Sequence, residues 1–215
     1  MVEKRALIIF SKVPRKGLVK RRLAAQIGTE RAFYYFSLLF RKTLNEAFFL
    51  AARKFLYLWP EDWTPEELSP FSDLIGAFTL KSQSGADLGE RMLQALKEVM
   101  GQGFQKVLLV GADIPFLSRE ILEEAFSALQ SKEMVLGPAE DGGYYLIGFR
   151  RETSGWEALF EGIPWGGAEV FEKTLKKARL IGVSIHLLPP LFDVDTAEDL
   201  SRIENFLKFP PPVAL

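Results

Sequence analysis

The chain has 215 residues, 48% of them hydrophobic and 26% charged, the balance of a globular protein with one substantial core. Its formal net charge is -1 and it has no cysteine. Those two facts exclude disulfides, thiolate metal centres, cysteine nucleophiles and a global positive field for nucleic acid.

Residues 6–10 form a short apolar run and predict the first strand. That run ends at Lys12, too soon for a signal peptide. A basic loop over 12–19 leads to a short helix from about Lys20. Thr29 is placed to cap a long helix reaching about Arg53. Phe33, Tyr34, Tyr35, Phe36, Phe40, Phe48 and Phe49 put aromatic rings on several of its faces. They predict burial between the sheet and another element, with a homodimer interface as the sharper alternative. Arg41, Lys42, Asn45 and Glu46 interrupt the stretch, which argues against a membrane span. The expectation is a soluble, cytoplasmic protein.

Strands follow over 55–59 and 77–81, separated by a Pro-rich polar loop with a helical turn. A helix over 87–100 carries Leu88, Met92, Leu96 and Val99 on one face and is stopped by Gly101. Residues 107–110 are uninterrupted Val-Leu-Leu-Val, read as a strand buried on both faces at the centre of the sheet. Asp113 stands just past its C-terminal end, and Ser118 is a candidate cap for a helix to about Gln130. Strands over 134–136 and 144–149 have no helix between them, which predicts one antiparallel excursion. A helix over 168–178, a strand over 181–188 and a helix over 196–207 complete the pattern. The alternation predicts an α/β fold, a Rossmann-like doubly wound and mostly parallel sheet. It fills a single domain over 1–208, and residues 209–215 form an extended Pro-rich tail.

Three clusters carry chemistry. The loop after the first strand holds six basic residues, Lys12, Arg15, Lys16, Lys20, Arg21 and Arg22, at a strand-to-helix boundary, with Gly17 allowing close backbone approach. That combination suits a phosphate, and the alternative is a solvated basic turn. It matches neither the P-loop nor the dinucleotide glycine pattern. The second cluster is Asp193-Val194-Asp195-Thr196-Ala197-Glu198-Asp199. Thr196 and Asp199 read as a helix cap, which places Asp195 at a boundary like that of Asp113. Carboxylates from two crossovers could share a hard divalent cation, or could simply be turn residues. The third is Gly137-Pro138-Ala139-Glu140-Asp141-Gly142-Gly143-Tyr144-Tyr145, where glycines, an acid and two tyrosines suit sugar hydroxyls and stacking, or a plain hairpin turn. His186, the single histidine, lies in a predicted strand and reads as structural or exposed.

Five stretches, in order along the chain, resemble one bacterial family. They are Phe10-Ser11-Lys12-Val13-Pro14 with Gly17-Leu18-Val19-Lys20 and Arg22-Leu23; Ala86-Asp87-Leu88-Gly89-Glu90-Arg91-Met92; Gly111-Ala112-Asp113-Ile114-Pro115; the 137–145 segment; and Asp193 to Leu200. The family is that of GT-A-like nucleotide-diphospho-sugar transferases, once filed as a domain of unknown function and labelled arsenosugar-biosynthesis-type glycosyltransferases. It is related to the phospholactate and molybdenum-cofactor guanylyltransferases.

The resemblance implies that Lys12, Pro14, Gly17, Lys20 and Arg22 hold a nucleotide diphosphate, with Gln83, Asp87 and Arg91 near the nucleoside. It implies Asp113 and Asp195 as metal acids for Mg²⁺ or Mn²⁺, with Asp193 as the rival of Asp195. Asp141, Gly142, Gly143, Tyr144 and Trp165 fall on the sugar or acceptor side, and Asp113, Asp141 and Lys20 are the candidate catalytic groups. Two departures stand out: Arg21 replaces the family's usual Thr, and Gly166-Gly167 follows Trp165 where Ser or Thr is usual. The expected activity is glycosyl transfer from a nucleotide sugar to a small acceptor. The alternatives are nucleotidyl transfer from a nucleoside triphosphate to a small phosphorylated or carboxylated substrate, and a nucleotide-binding module without catalysis. No nucleic-acid partner is expected.

Overall fold

The computed structural model describes residues 4–207, with side chains through residue 203. The tail expected over 209–215 lies outside these residues. Seven strands join one sheet: β1 (Arg5–Lys12), β2 (Arg53–Trp59), β3 (Phe78–Ser82), β4 (Lys106–Gly111), β5 (Met134–Pro138), β6 (Tyr144–Arg150) and β7 (Ile185–Leu187). Their order is β3-β2-β1-β4-β6-β5-β7. The β1–β2, β1–β4, β2–β3 and β5–β7 pairs are parallel, and β6 runs antiparallel to both β4 and β5. Strands joined through helices can return in the same direction. The short 139–143 turn leaves β6 no room for a crossover, so it must reverse.

The helices are α1 (Arg21–Ile27), α2 (Thr29–Phe48), α3 (Ser72–Ile75), α4 (Leu88–Gly101), α5 (Arg119–Ala128), α6 (Val170–Leu180) and α7 (Ala197–Leu207), with short 3₁₀ helices over Pro65–Phe71 and Trp156–Phe160. They cover both faces of the sheet. Leu7 and Ile9 of β1 join Leu108 and Val110 of β4 against Phe36, Phe40 and Leu44 of α2 and Phe126 of α5. Ala6, Ile8 and Phe10 point the other way, with Val107 and Leu109, against Met92, Leu96 and Val99 of α4. The period-two alternation of an extended chain thus divides each central strand between two cores. β4 is buried from Lys106 to Val110, as its unbroken apolar run predicts.

Several expected boundaries are corrected. α2 ends at Phe48, short of Arg53, because Phe49 leaves helical geometry and 50–52 turn into β2. Thr29 is its first helical residue, and Gly28 flanks the helix without a side-chain cap. Gly101 is the last residue of α4, and Gly103, at φ +90°, turns the chain. Ile181 closes α6 and Gly182, at φ +77°, reverses direction, so β7 is reduced to three residues of the expected 181–188 strand. Ser118 caps α5 through Ile121 N, as expected.

No helix among the described residues is long and apolar enough to cross a membrane. The winding of the sheet reverses between β1 and β4. In open α/β sheets the ligand crevice lies at the carboxyl ends of the strands beside that switch point. Lys12 ends β1 there, and Asp113 follows β4 by two residues.

Candidate active site

The basic loop divides its charges. Arg15 is committed to acids: its Nε donates to Glu67 Oε1 at 2.6 Å, and its guanidinium pairs with Asp62 at 3.3 Å. Lys16 pairs with Glu30 at 2.6 Å. Lys12, Lys20, Arg21 and Arg22 remain around the crevice. α1 has only seven residues, so side-chain cations, rather than a long helix dipole, supply the positive field here.

Lys20 is the pivot. It sits in the left-handed region (φ 46°, ψ 46°), the one described non-glycine residue with positive φ. This bend turns the chain into α1 and buries the side chain to 3% exposure. The ammonium lies 2.6 Å from Asp113 Oδ2 and 3.1 Å from Asp195 Oδ1. Burial alone would lower its pKa. The opposing charges of Asp113, Asp195 and Asp193 outweigh burial and hold Lys20 above the ordinary lysine range, so it stays charged. Arg22 approaches Asp195 Oδ2 at 3.6 Å from the solvent side.

The cap at the start of α7 explains why Asp195 is held in place. Asp199 Oδ2 accepts from Asp195 N at 3.1 Å, Thr196 N at 2.8 Å and Thr196 Oγ1 at 2.7 Å. Asp199 N returns a bond to Thr196 Oγ1 at 3.2 Å. That is the reciprocal box expected from the Thr-x-x-Asp spacing. Asp193, two residues earlier, is half-buried. Burial pushes its carboxyl up to about 6; Lys20 opposes the rise, and the negative charges of Asp195, Asp113 and Asp141 reinforce it.

Two cavities meet at Asp113. The first, about 520 Å³, is lined by Lys12, Lys20, Arg21, Arg22 and Arg91 with Asp113 and Asp195. Its far wall holds Trp59, with the Arg91 guanidinium 5.0 Å above the indole, and Gln83. The buried Gln83 amide donates both ways, to Ser11 O and to Tyr57 O at 3.0 Å each. Both amide hydrogens are thereby committed, which leaves the Oε1 acceptor for other contacts. The second cavity, about 280 Å³, is lined by Asp113, Asp141 and Asp193 with Gly143, Tyr144, Tyr145 and Trp165.

The structure therefore brings Lys12, Lys20, Arg22, Gln83, Arg91, Asp113 and Asp195 to one cavity and Asp113, Asp141, Gly143, Tyr144, Trp165 and Asp193 to the other. Pro14, Gly17, Asp87 and Gly142 do not line either one. Asp87 instead caps α4, accepting from Glu90 N at 2.8 Å. Gly142, at φ +88°, lies against the Ala168 carbonyl, where no side chain fits. Sequence reasoning missed Trp59 and Phe36 on the first wall and Ile114 and Val170 on the second. Trp59 had a signal, as the last residue of a predicted strand on the ligand side of the sheet. His186 lines neither cavity and sits 3.0 Å from Glu124.

Among the described residues no group of three or more acids and histidines is already gathered as a metal cage. The Lys20 ammonium stands between Asp113 and Asp195. The donor set nevertheless fits a hard cation. All three candidates are carboxylates, Asp113 contacts Lys20 through Oδ2, and Asp193 takes no hydrogen bond from the described residues.

The family profile described as an uncharacterized protein conserved in bacteria, DUF2064, matches residues 51–167. The chain belongs to this family. A likeness over nearly the whole length comes from a solved protein of Desulfovibrio desulfuricans G20, whose name, nucleotide-diphospho-sugar transferase, is itself provisional. The two are 33% identical, the match covers 96% of this chain and 89% of that one, and the TM-score is 0.88. The fold extends to 4-diphosphocytidyl-2C-methyl-D-erythritol synthase from Anaerococcus prevotii, at 14% identity, 96% and 97% coverage and TM-score 0.62. It extends also to Rv0371c of Mycobacterium tuberculosis H37Rv in complex with manganese, at 14% identity, 94% and 98% coverage and TM-score 0.52. No curated protein matches the chain. The mostly parallel sheet with one antiparallel strand is thus the nucleotide-diphospho-sugar transferase fold expected from the sequence.

Proposed function

We propose that the chain is a metal-dependent glycosyltransferase that moves a sugar from a nucleoside-diphosphate sugar to a small acceptor. The observation that carries this reading is the pair of cavities joined at Asp113, one cationic and one acidic. A donor diphosphate suits the first, where Lys12, Lys20, Arg21 and Arg22 converge, and the nucleoside suits the wall of Trp59, Gln83 and Arg91. The sugar would then lie at Asp113, facing the second cavity. Asp113, Asp195 and Asp193 would hold Mg²⁺ or Mn²⁺, which when bound supplies Lewis-acid charge to the diphosphate. Lys20, kept charged by its two carboxylates, neutralises the same leaving group as negative charge develops on it. Asp141 and Tyr144 position the acceptor at the mouth of the second cavity.

Nucleotidyl transfer is the second reading. The cationic cavity also suits a triphosphate, and the fold of the Anaerococcus synthase adds weight to it. Turnover separates the two. With Mg²⁺ or Mn²⁺, a glycosyltransferase releases nucleoside diphosphate from a nucleotide sugar, whereas a nucleotidyltransferase releases pyrophosphate from a triphosphate. In thermal melts, metal and nucleoside diphosphate together should stabilise the wild type beyond the sum of their separate effects. Asp113→Asn should lose that excess and the turnover while keeping the apo fold. An Asp113→Asn protein that retains both would refute the site.

A further inference from the structure

Lys20 and the divalent cation of the proposed reaction claim the same carboxylates. The ammonium lies 2.6 Å from Asp113 Oδ2 and 3.1 Å from Asp195 Oδ1, with its side chain 3% exposed. Asp195 Oδ2 faces the Arg22 guanidinium at 3.6 Å. Asp113 and Asp195 are therefore already matched with protein cations, and of the candidate metal acids only Asp193 takes no hydrogen bond from the described residues.

An ammonium donates and cannot accept, so it is no ligand for a metal. A dication drawn to Asp113 and Asp195 would meet the positive charge lodged between them, and like charges at such range repel strongly in a buried place. Magnesium is usually held by one or two carboxylates together with substrate phosphates, and not by a protein cage alone. These acids fit that pattern, since no cage of three or more stands ready among the described residues.

The lysine has a second place to go. Lys20 also lines the cationic cavity, with Lys12, Arg21 and Arg22, where the diphosphate is placed. Its flexible four-carbon stem can carry the ammonium from carboxylate to phosphate while the backbone of residue 20 keeps its conformation. Carboxylate and phosphate both accept charge-assisted hydrogen bonds, so this exchange replaces one strong contact with another. A metal ion arriving alone offers the displaced ammonium nothing in return.

We propose that Lys20 is a built-in counter-ion that keeps divalent metal off Asp113 and Asp195 until a nucleoside diphosphate draws the ammonium away, so that metal binds with or after the nucleotide and not before it. The proposal rests on the carboxylate metal site of the proposed function. It adds the order of binding and the residue that sets it.

Mn²⁺ titrated into the full chain tests it, read by the enhancement of water-proton relaxation that follows when Mn²⁺ sits on a slowly tumbling protein. With Mn²⁺ alone, wild type and Lys20→Arg should bind weakly. Lys20→Met, its fold checked by circular dichroism, should bind more tightly by about tenfold or more. GDP, UDP, CDP, ADP and dTDP are then added in turn to the wild type. At least one should raise its Mn²⁺ affinity by a similar factor, a result that needs no variant. Wild type binding Mn²⁺ alone as tightly as Lys20→Met, Lys20→Arg binding like Lys20→Met, or no diphosphate raising the wild-type affinity would overturn the proposal. A gain that survives in Lys20→Met/Asp113→Asn would overturn the carboxylate site itself, and the proposal with it. Failure of the transferase reading would show separately, as no nucleotide product in the turnover assay, with these affinities unaltered.

Discussion

Replacing Lys20 separates what its side chain does from what its backbone does. The ammonium makes two charge-assisted contacts, with Asp113 at 2.6 Å and Asp195 at 3.1 Å. Both carboxylates are about a third exposed, 31% and 39%, so water recovers part of what they lose. Lys20→Ala should therefore destabilise the apo protein by about 2 kcal/mol, below the cost of breaking a fully buried pair. The residue at position 20 also holds a left-handed conformation, which disfavours any side chain by about 1 kcal/mol relative to glycine. Lys20→Gly loses the same ion pairs but relieves the backbone, and should recover about 1 kcal/mol of the loss. For a chain of this size, melting should fall about 4–8 °C for Lys20→Ala and about 2–4 °C for Lys20→Gly. Both should bind nucleoside diphosphate about tenfold or more weakly, a loss of roughly 1.4 kcal/mol or greater. Calorimetry with UDP and GDP and scanning calorimetry of the apo proteins read the two effects. Equal melting of the two variants would refute the backbone argument, and wild-type affinity in either would refute the phosphate role.

Gly89 lies against the Trp165 indole, with no room for a methyl group; Gly89→Ala should destabilise by about 1–3 kcal/mol and shift Trp165 fluorescence, and an unchanged emission spectrum would show that the contact is absent. His186→Gln should leave turnover within a few-fold, because His186 lines neither cavity; a loss of about a thousandfold with folding intact would mark it as a general base. The Arg15 hydrogen bond holds the Glu67 carboxyl below its ordinary range. A carboxylate with a depressed folded pKa adds stability above its unfolded pKa and loses it as pH falls through the folded one. The melting difference between wild type and Glu67→Gln should accordingly shrink on acidification below the usual glutamate range; a difference that grows there would reverse the assigned sign.

Periodicity and punctuation in the chain determined the sheet and its centre. The Val107–Val110 run could be satisfied only with apolar neighbours on both faces, and the absence of a crossover between Met134 and Tyr144 required one reversed strand. The Thr196–Asp199 cap was equally legible, because its bonds span three residues. Element ends were less so: Phe49 and Gly182 end their helices through backbone geometry that the apolar pattern does not record. At the site, the resemblance named Asp113, Asp195 and Lys20 separately, but not their contact. Lys20 and Asp195 are joined only when β1, β4 and the start of α7 converge at the switch point of the sheet. The same holds for the charges. Along the chain, 12–22 is one basic run. In the fold, Glu67, Asp62 and Glu30 neutralise Arg15 and Lys16, while the remaining cations face a cavity whose neighbour has acids as its only charged lining residues. Local interactions act over a few residues and can be read from their order. Electrostatic partners lie up to 175 residues apart, as Lys20 and Asp195 do, so only the tertiary structure decides which charges meet.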